Sequence, residues 1–247
     1  MHRKGYLQMA IRSLTKKGLI VSCQAAPGDP LYGPEFMVRM AMAAEQGGAI
    51  GIRSNGRDDI KAIKQAVSIP VIGLIKREIP GSDIYITPEL QDVEAILEAG
   101  ADIVALDLTN RENRYAQGKR LIDYIHQAGA QVIADISVAE EGVAAEQLGA
   151  DYVSTTLSGY TPYSPQREEP DMGLIRALCG KLTIPLMAEG RIWSADDAVA
   201  ALSCGADYVV VGSAITRPQL VTRRFVDRIA DYLDKCEATD PRGGLRS

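Results

Sequence analysis

The sequence predicts an α/β fold of one domain, a (β/α)8 TIM barrel, and three observations carry that prediction. Short apolar, β-rich runs recur eight times, each followed by a stretch with helical periodicity. A phrase ending in Gly-Ala-Asp opens three of them, as A-G-A-D-I-V at 99–104, L-G-A-D-Y-V at 148–153 and C-G-A-D-Y-V at 204–209. The length of 247 residues suits a single barrel of roughly 250. A doubly wound open sheet is the weaker choice, because no G-x-G-x-x-G follows the first run.

Taken in order, residues 1–17 are expected to form a helical segment closing the bottom of the barrel. Strands are expected at 18–24, 49–53, 70–76, 102–107, 130–135, 151–155, 184–189 and 207–211. Looser copies of the phrase, G-G-A-I-G-I at 47–52 and A-G-A-Q-V-I at 128–133, mark two of these. In each copy a helix ends at a glycine and a strand buried on both faces begins. Pro70 and Pro185 fall at strand starts, where a missing N–H costs little. A helix is expected over Thr87–Glu98, with Val93, Ile96 and Leu97 on one face and Thr87-Pro88 as its start signal. Ser194-Ala195-Asp196-Asp197 opens another with a capping-box pattern. S-I-P-V then G-A-D-I-V is echoed by T-I-P-L then G-A-D-Y-V, as two similar half-barrels would give. The barrel is expected to span 18–234, with 235–247 a polar, flexible tail.

Composition excludes several functions. Asp and Glu total 32 against 27 Lys and Arg, a net charge of -5, which argues against nucleic acid as a partner. No apolar run reaches the ~18 residues that would span a membrane. Cys23, Cys179, Cys204 and Cys236 show no C-x-x-C spacing, which favours a reducing, cytoplasmic compartment. His2 and His126 are the only histidines, too few for a His-based metal site or a serine triad. His126 reads as a surface or half-buried helix residue.

In such a barrel the carboxyl ends of the strands face the active site. Those positions are Gln24, Arg53, Lys76, Asp107, Asp135, Thr155, Glu189 and Gly212, polar in all but the last, although the strand bodies are apolar. Gln24, Lys76, Asp135 and Glu189 come from alternate strands and are expected in one layer, with Lys76 opposite Glu189. A buried Lys–Glu pair would be a poor stability device, since desolvation offsets the attraction. Catalysis explains it better. Gly190-Arg191 and Gly212-Ser213 occupy the last two loops, where barrels commonly bind phosphate, and Arg191 and Arg217 add positive charge. The segment 157–170 is long for a connection, and its Tyr160 and Tyr163 are candidates to fold over the mouth as a lid.

Seven motifs in order, V-S-C-Q-A at 21–25, I-R-S-N-G at 52–56, G-L-I-K-R at 73–77, A-D-I-S at 134–137, T-T-L-S-G-Y-T at 155–161, A-E-G-R at 188–191 and G-S-A-I-T-R-P at 212–218, resemble the N-acylglucosamine-6-phosphate 2-epimerases. The likeness runs from about Gly18 to Leu233. It implies a barrel of the ribulose-phosphate-binding type, working without a cofactor or metal on an N-acylhexosamine 6-phosphate in sialic acid breakdown. It implies that Lys76 and Glu189 are catalytic and that Gln24, Arg53, Asp135 and Arg217 hold substrate; Tyr160, from the long loop, is a further candidate contact. A homodimer is the candidate assembly.

The residues suit that chemistry. Inverting C2 of a 2-acetamido sugar requires a proton to leave carbon and return on the other face, once ring opening has made C1 a carbonyl. A neutral Lys76, its pKa lowered by Arg53 and a dry pocket, could be the base, with Glu189 as the complementary acid or as the group assisting ring opening. Two other readings use the same residues: an aldolase forming a Schiff base on Lys76, and a non-catalytic phosphosugar-binding regulator.

Overall fold

The computed structural model describes residues 12–112 and 114–239. Eight parallel strands pair in chain order and close on themselves. They are β1 (Gly18–Cys23), β2 (Gly51–Asn55), β3 (Val71–Leu74), β4 (Ile103–Asp107), β5 (Gln131–Asp135), β6 (Tyr152–Ser154), β7 (Leu186–Glu189) and β8 (Tyr208–Val211). Between them run α1 (Pro34–Gln46), α2 (Arg57–Ala66), α3 (Leu90–Glu98), α4 (Arg114–Gln127), α5 (Ala139–Leu148), α6 (Met172–Cys179) and α7 (Ala195–Ser203). A four-residue α8 (Ser213–Thr216) and the long α9 (Pro218–Thr239) follow. No described helix is long and apolar enough to cross a membrane.

Strand alternation splits the core in two. Inward positions such as Ile20, Ile72, Leu74, Ile103, Ile133, Met187 and Val210 fill the barrel. Outward positions such as Val21, Ile52, Val71, Val104, Val132 and Val209 pack beneath the helices. Tyr152 and Tyr208 meet edge to face at 6.1 Å in the lower interior, and Leu14 joins them.

The recurring Gly-Ala-Asp phrase has a structural task. Asp102, Asp151 and Asp207 each stand just before a strand, and each carboxylate accepts the first free N–H of the strand before it. The bonds are Val71 N–H to Asp102 at 2.8 Å, Val132 N–H to Asp151 at 2.7 Å and Leu186 N–H to Asp207 at 3.0 Å. The three aspartates thus tie β3 to β4, β5 to β6 and β7 to β8 at their lower ends. Gly149, at φ 100°, shows how the phrase begins: it turns the chain out of α5 in the left-handed region.

Three expectations need correction. Residues 12–17 are not helical. The Arg12 N–H donates to Asp102 at 2.8 Å and its guanidinium to the carbonyls of Val67 and Ile69, which tie this irregular segment under the barrel. The rest of the expected helix, 1–11, lies outside the described residues. Helix α3 starts at Leu90, capped by Glu89 and Asp92, and not at Thr87. Thr87 sits at φ 47°, its hydroxyl accepting from Ile75 N–H and its carbonyl held by Arg114. At the far end α9 continues to Thr239, so residues 235–239 of the expected tail are helical; 240–247 lie outside the described residues. The capping box at Ser194 is present, with Asp197 N–H donating to its hydroxyl at 3.1 Å.

Candidate active site

The polar strand ends converge above the apolar interior. Ser22 and Gln24 follow the inward parity of β1, Arg53 that of β2 and Lys76 that of β3. Asp135 on β5, Ser154 on β6 with Thr156 two residues beyond its end, and Glu189 on β7 complete the ring. A cavity of about 510 Å³ opens there, within the size range of small-molecule sites. Gln24, Lys76, Tyr160, Glu189, Gly190, Arg191, Gly212, Ser213 and Arg217 all border it. Arg53 and Asp135 do not; both are buried behind its wall.

Arg53 is the hub. Its Nη1 and Nη2 donate to Asp135 at 3.0 and 2.6 Å, and Nη1 lies 3.3 Å from Glu189 Oε2. Burial alone would lower the Arg53 pKa, but the two carboxylates overcome it and hold the guanidinium firmly charged. Glu189 also approaches the hydroxyls of Thr156 at 3.0 Å and Ser154 at 3.4 Å. Burial raises its pKa above the ordinary glutamate range against the pull of Arg53; Asp135 adds to the rise and Lys76 opposes it. Lys76 shows the converse. Burial and then Arg53 lower its pKa, while Glu189 and Asp135 partly restore it. The two pKa values are thus displaced toward each other in one cleft, a pattern that acid–base sites share.

The turn after β7 is built for close approach. Gly190 at φ 113° and Arg191 at φ 58° are both left-handed, and both residues border the cavity. The Arg191 guanidinium donates to the carbonyls of Glu169 at 3.0 Å and Ser158 at 2.9 Å, and lies 5.9 Å from the Tyr160 ring. Arg217 borders the cavity while pairing with Asp29 at 3.3 Å.

Several expectations change here. Thr155 is not an inward residue: its hydroxyl accepts from Glu189 N–H and donates to Glu189 C=O, both at 3.0 Å, and fixes β7 beside β6. The side chain that enters the site is Thr156, which strand parity from Ser154 could have shown. Asp107 points inward but is spent on structure, bonded to Thr109 and Arg111. Of the proposed lid, Tyr160 borders the cavity, whereas Tyr163 turns away to donate to Glu141 at 2.6 Å. Tyr85, Arg111 and Trp193 also border the cavity; they stand in loops, where no periodicity marks direction. His126 lies on α4, 2.9 Å from Asp151. Among the described residues no group of three His, Cys, Asp or Glu side chains is placed to hold a metal ion.

Comparison with known proteins identifies the family. The family described as "Putative N-acetylmannosamine-6-phosphate epimerase" matches residues 37–231. A protein of Caldanaerobacter subterraneus subsp. tengcongensis, named "Putative N-acetylmannosamine-6-phosphate 2-epimerase", is 52% identical over 91% of this chain and 96% of its own. One from Clostridium perfringens with the same name is 48% identical over 87% and 97%. The solved structure of the N-acetylmannosamine-6-phosphate 2-epimerase from Clostridium perfringens superposes with a TM-score of 0.81 at 44% identity, covering 92% of this chain and 98% of that one. With that breadth of identity and the same barrel, this chain belongs to the N-acetylmannosamine-6-phosphate 2-epimerase family.

Proposed function

We propose that this protein interconverts N-acetylmannosamine 6-phosphate and N-acetylglucosamine 6-phosphate by inverting C2, without a cofactor, in the cytoplasm. The observation that carries the reading is the pairing, in one cavity, of an amine with a lowered pKa and a carboxyl with a raised one. The sugar opens to its aldehyde, which acidifies the C2 proton. Neutral Lys76 takes that proton, and the negative charge moves to the C1 oxygen as an enolate. Glu189 is the complementary acid, or assists ring opening. Arg53, held charged behind the wall, supplies a fixed positive field at the moment charge develops. Gln24 has a buried amide oxygen with no partner among the described residues, suited to a substrate hydroxyl or amide. The turns at Gly190-Arg191 and Gly212-Ser213 take the phosphate, with Arg217 beside them, and fix the far end of the substrate.

Incubation with either phosphosugar in D₂O tests this directly: deuterium is expected at C2 of the product. Absence of exchange together with tight binding would instead support the regulator. Borohydride trapping of a Lys76 adduct would support the aldolase.

The proposed homodimer has a physical basis in α9. Every side chain from Thr222 to Cys236 is exposed. Phe225, Val226, Ile229, Tyr232 and Leu233 fall on one apolar stripe. Val199 and Leu202 on α7, with Phe36 and Met42 on α1, are exposed too, on the helices that flank the eighth outer position. These surfaces support a second copy of the chain as the partner of α9.

A further inference from the structure

Lys76 stands just beyond β3, which ends at Leu74. On the β2 side, Gly56 N–H still donates to Leu74 C=O at 2.9 Å, and there β2 departs, because Gly56 at φ 94° caps α2. In a parallel ladder the next donor on the β3 side is Lys76 N–H, and the departing chain takes its main-chain acceptor away. Asn55 replaces it: its Oδ1 accepts Lys76 N–H at 2.8 Å. Because the donor is an N–H, only the oxygen end of the carboxamide can face it. The opposite edge of the segment is held by residues 85–87. Thr87 N–H donates to Ile75 C=O at 2.7 Å, Ile75 N–H to the Thr87 hydroxyl at 3.2 Å and Arg77 N–H to Tyr85 C=O at 3.2 Å. Lys76 is thus paired with Ile86 on one side and gripped by a single side chain on the other.

We infer that Asn55 is a positioning residue: its carboxamide extends the β2–β3 ladder by one rung and fixes the main chain from which the Lys76 amine reaches the cavity. The residue type suits the place. Lys76 faces Glu189 from β7 and Asp135 from β5, which favour the charged amine, and Arg53 from β2 and Arg217 just beyond α8, which disfavour it. An aspartate at 55 would accept the same N–H but add an anion next to a base that must be neutral to work. An alanine would leave the N–H to water, which fixes no direction. Asparagine supplies the acceptor without the charge. The consequence for turnover rests on the epimerase reading; the grip on the Lys76 main chain does not.

Two variants of the full-length protein test it, Asn55→Ala and Asn55→Asp. Amide hydrogen exchange at Lys76, followed by NMR without substrate, should quicken about tenfold or more in Asn55→Ala and stay near the wild-type rate in Asn55→Asp, which keeps the acceptor. With N-acetylglucosamine 6-phosphate as substrate, Asn55→Ala should lose about 10- to 100-fold in kcat for C2 exchange, with KM within about threefold. Asn55→Asp should recover most of that rate at high pH. Its kcat should rise with pH along a limb displaced upward by about half a unit or more, since the added anion holds the proton on Lys76. A purely structural role would not move that limb. Unchanged amide exchange at Lys76 in Asn55→Ala overturns the inference, and so does unchanged kcat. An Asn55→Asp variant as slow as Asn55→Ala at every pH overturns it as well. If amide exchange responds as expected but wild type shows no C2 exchange, it is the epimerase reading that fails and the grip of Asn55 on Lys76 that stands.

Discussion

Arg53 on β2 and Asp135 on β5 meet inside the barrel in a two-pronged ion pair, 3.0 and 2.6 Å long, although their strands are not neighbours in the sheet. Both side chains are buried, so neither charge is tolerable alone. Removing one partner of such a pair typically costs about 3–5 kcal/mol, because the other is left uncompensated. Asp135→Ala should lower unfolding stability by about that amount in urea titrations, and should also abolish turnover, since Arg53 loses its anchor. A variant within about 0.5 kcal/mol of wild type would mean the pair is far better solvated than its burial indicates.

Lys76→Met should remove C2 exchange almost completely while keeping phosphosugar binding within a few-fold. Loss of a general base typically costs about 10²- to 10⁴-fold in rate. Exchange by NMR in D₂O and binding by calorimetry separate the two effects. Near-normal exchange in Lys76→Met would show that another group takes the proton.

Glu189 also predicts a pH dependence of stability. Its pKa in the folded chain is raised, chiefly by burial, so the folded state binds the proton more tightly than the unfolded chain does. The corresponding stability is fully present below the unfolded glutamate pKa and is lost as pH rises through the folded value. Replacing the carboxyl in Glu189→Gln should therefore flatten the decline in unfolding free energy above the ordinary glutamate range. Parallel stability curves for the two proteins across that window would contradict the raised pKa.

Gly73, in the body of β3, leaves no room for a side chain. A Cβ there would stand 2.6 Å from Ile96 Cγ2 and 3.0 Å from both Ala101 Cβ and Ile60 Cδ1. Gly73→Ala should cost about 1–3 kcal/mol through overpacking. Because the same strand delivers Lys76, kcat should fall more than KM rises. Unchanged melting would show that α2 and α3 yield without strain.

Helix α9 provides a test of assembly. Phe225→Glu with Ile229→Glu places two charges in its apolar stripe, and sedimentation velocity should then report a monomer in place of a dimer. A wild-type chain that sediments as a monomer at micromolar concentration would remove the proposal.

The sequence revealed the barrel through its repeats, and the structure explains why those repeats exist. Each Gly-Ala-Asp is a helix exit followed by a carboxylate that ties two strands, so a physical need recurs with the same spacing. The ring of polar strand ends was legible for a similar reason: a polar residue ending an apolar run has few explanations. What was not legible depended on direction. Thr155 and Thr156 are the same residue type side by side, and the parity of β6 alone decides which one enters the site. Tyr160 and Tyr163 occupy one loop, yet Tyr163 is claimed by Glu141 on α5, a contact no local pattern encodes. Thr87-Pro88 has the composition of a helix start, but tertiary bonds to Ile75 and Arg114 hold it elsewhere.

Arg191 reaches from the turn after β7 to the carbonyls of Ser158 and Glu169, near the two ends of the long β6 connection. The staple couples two neighbouring walls of the cleft, so a pull on one is transmitted to the other. An anion settling against Gly190 and Arg191 would thereby tug the ring of Tyr160 with it, and grip on a substrate's tail would be felt as shelter along its flank.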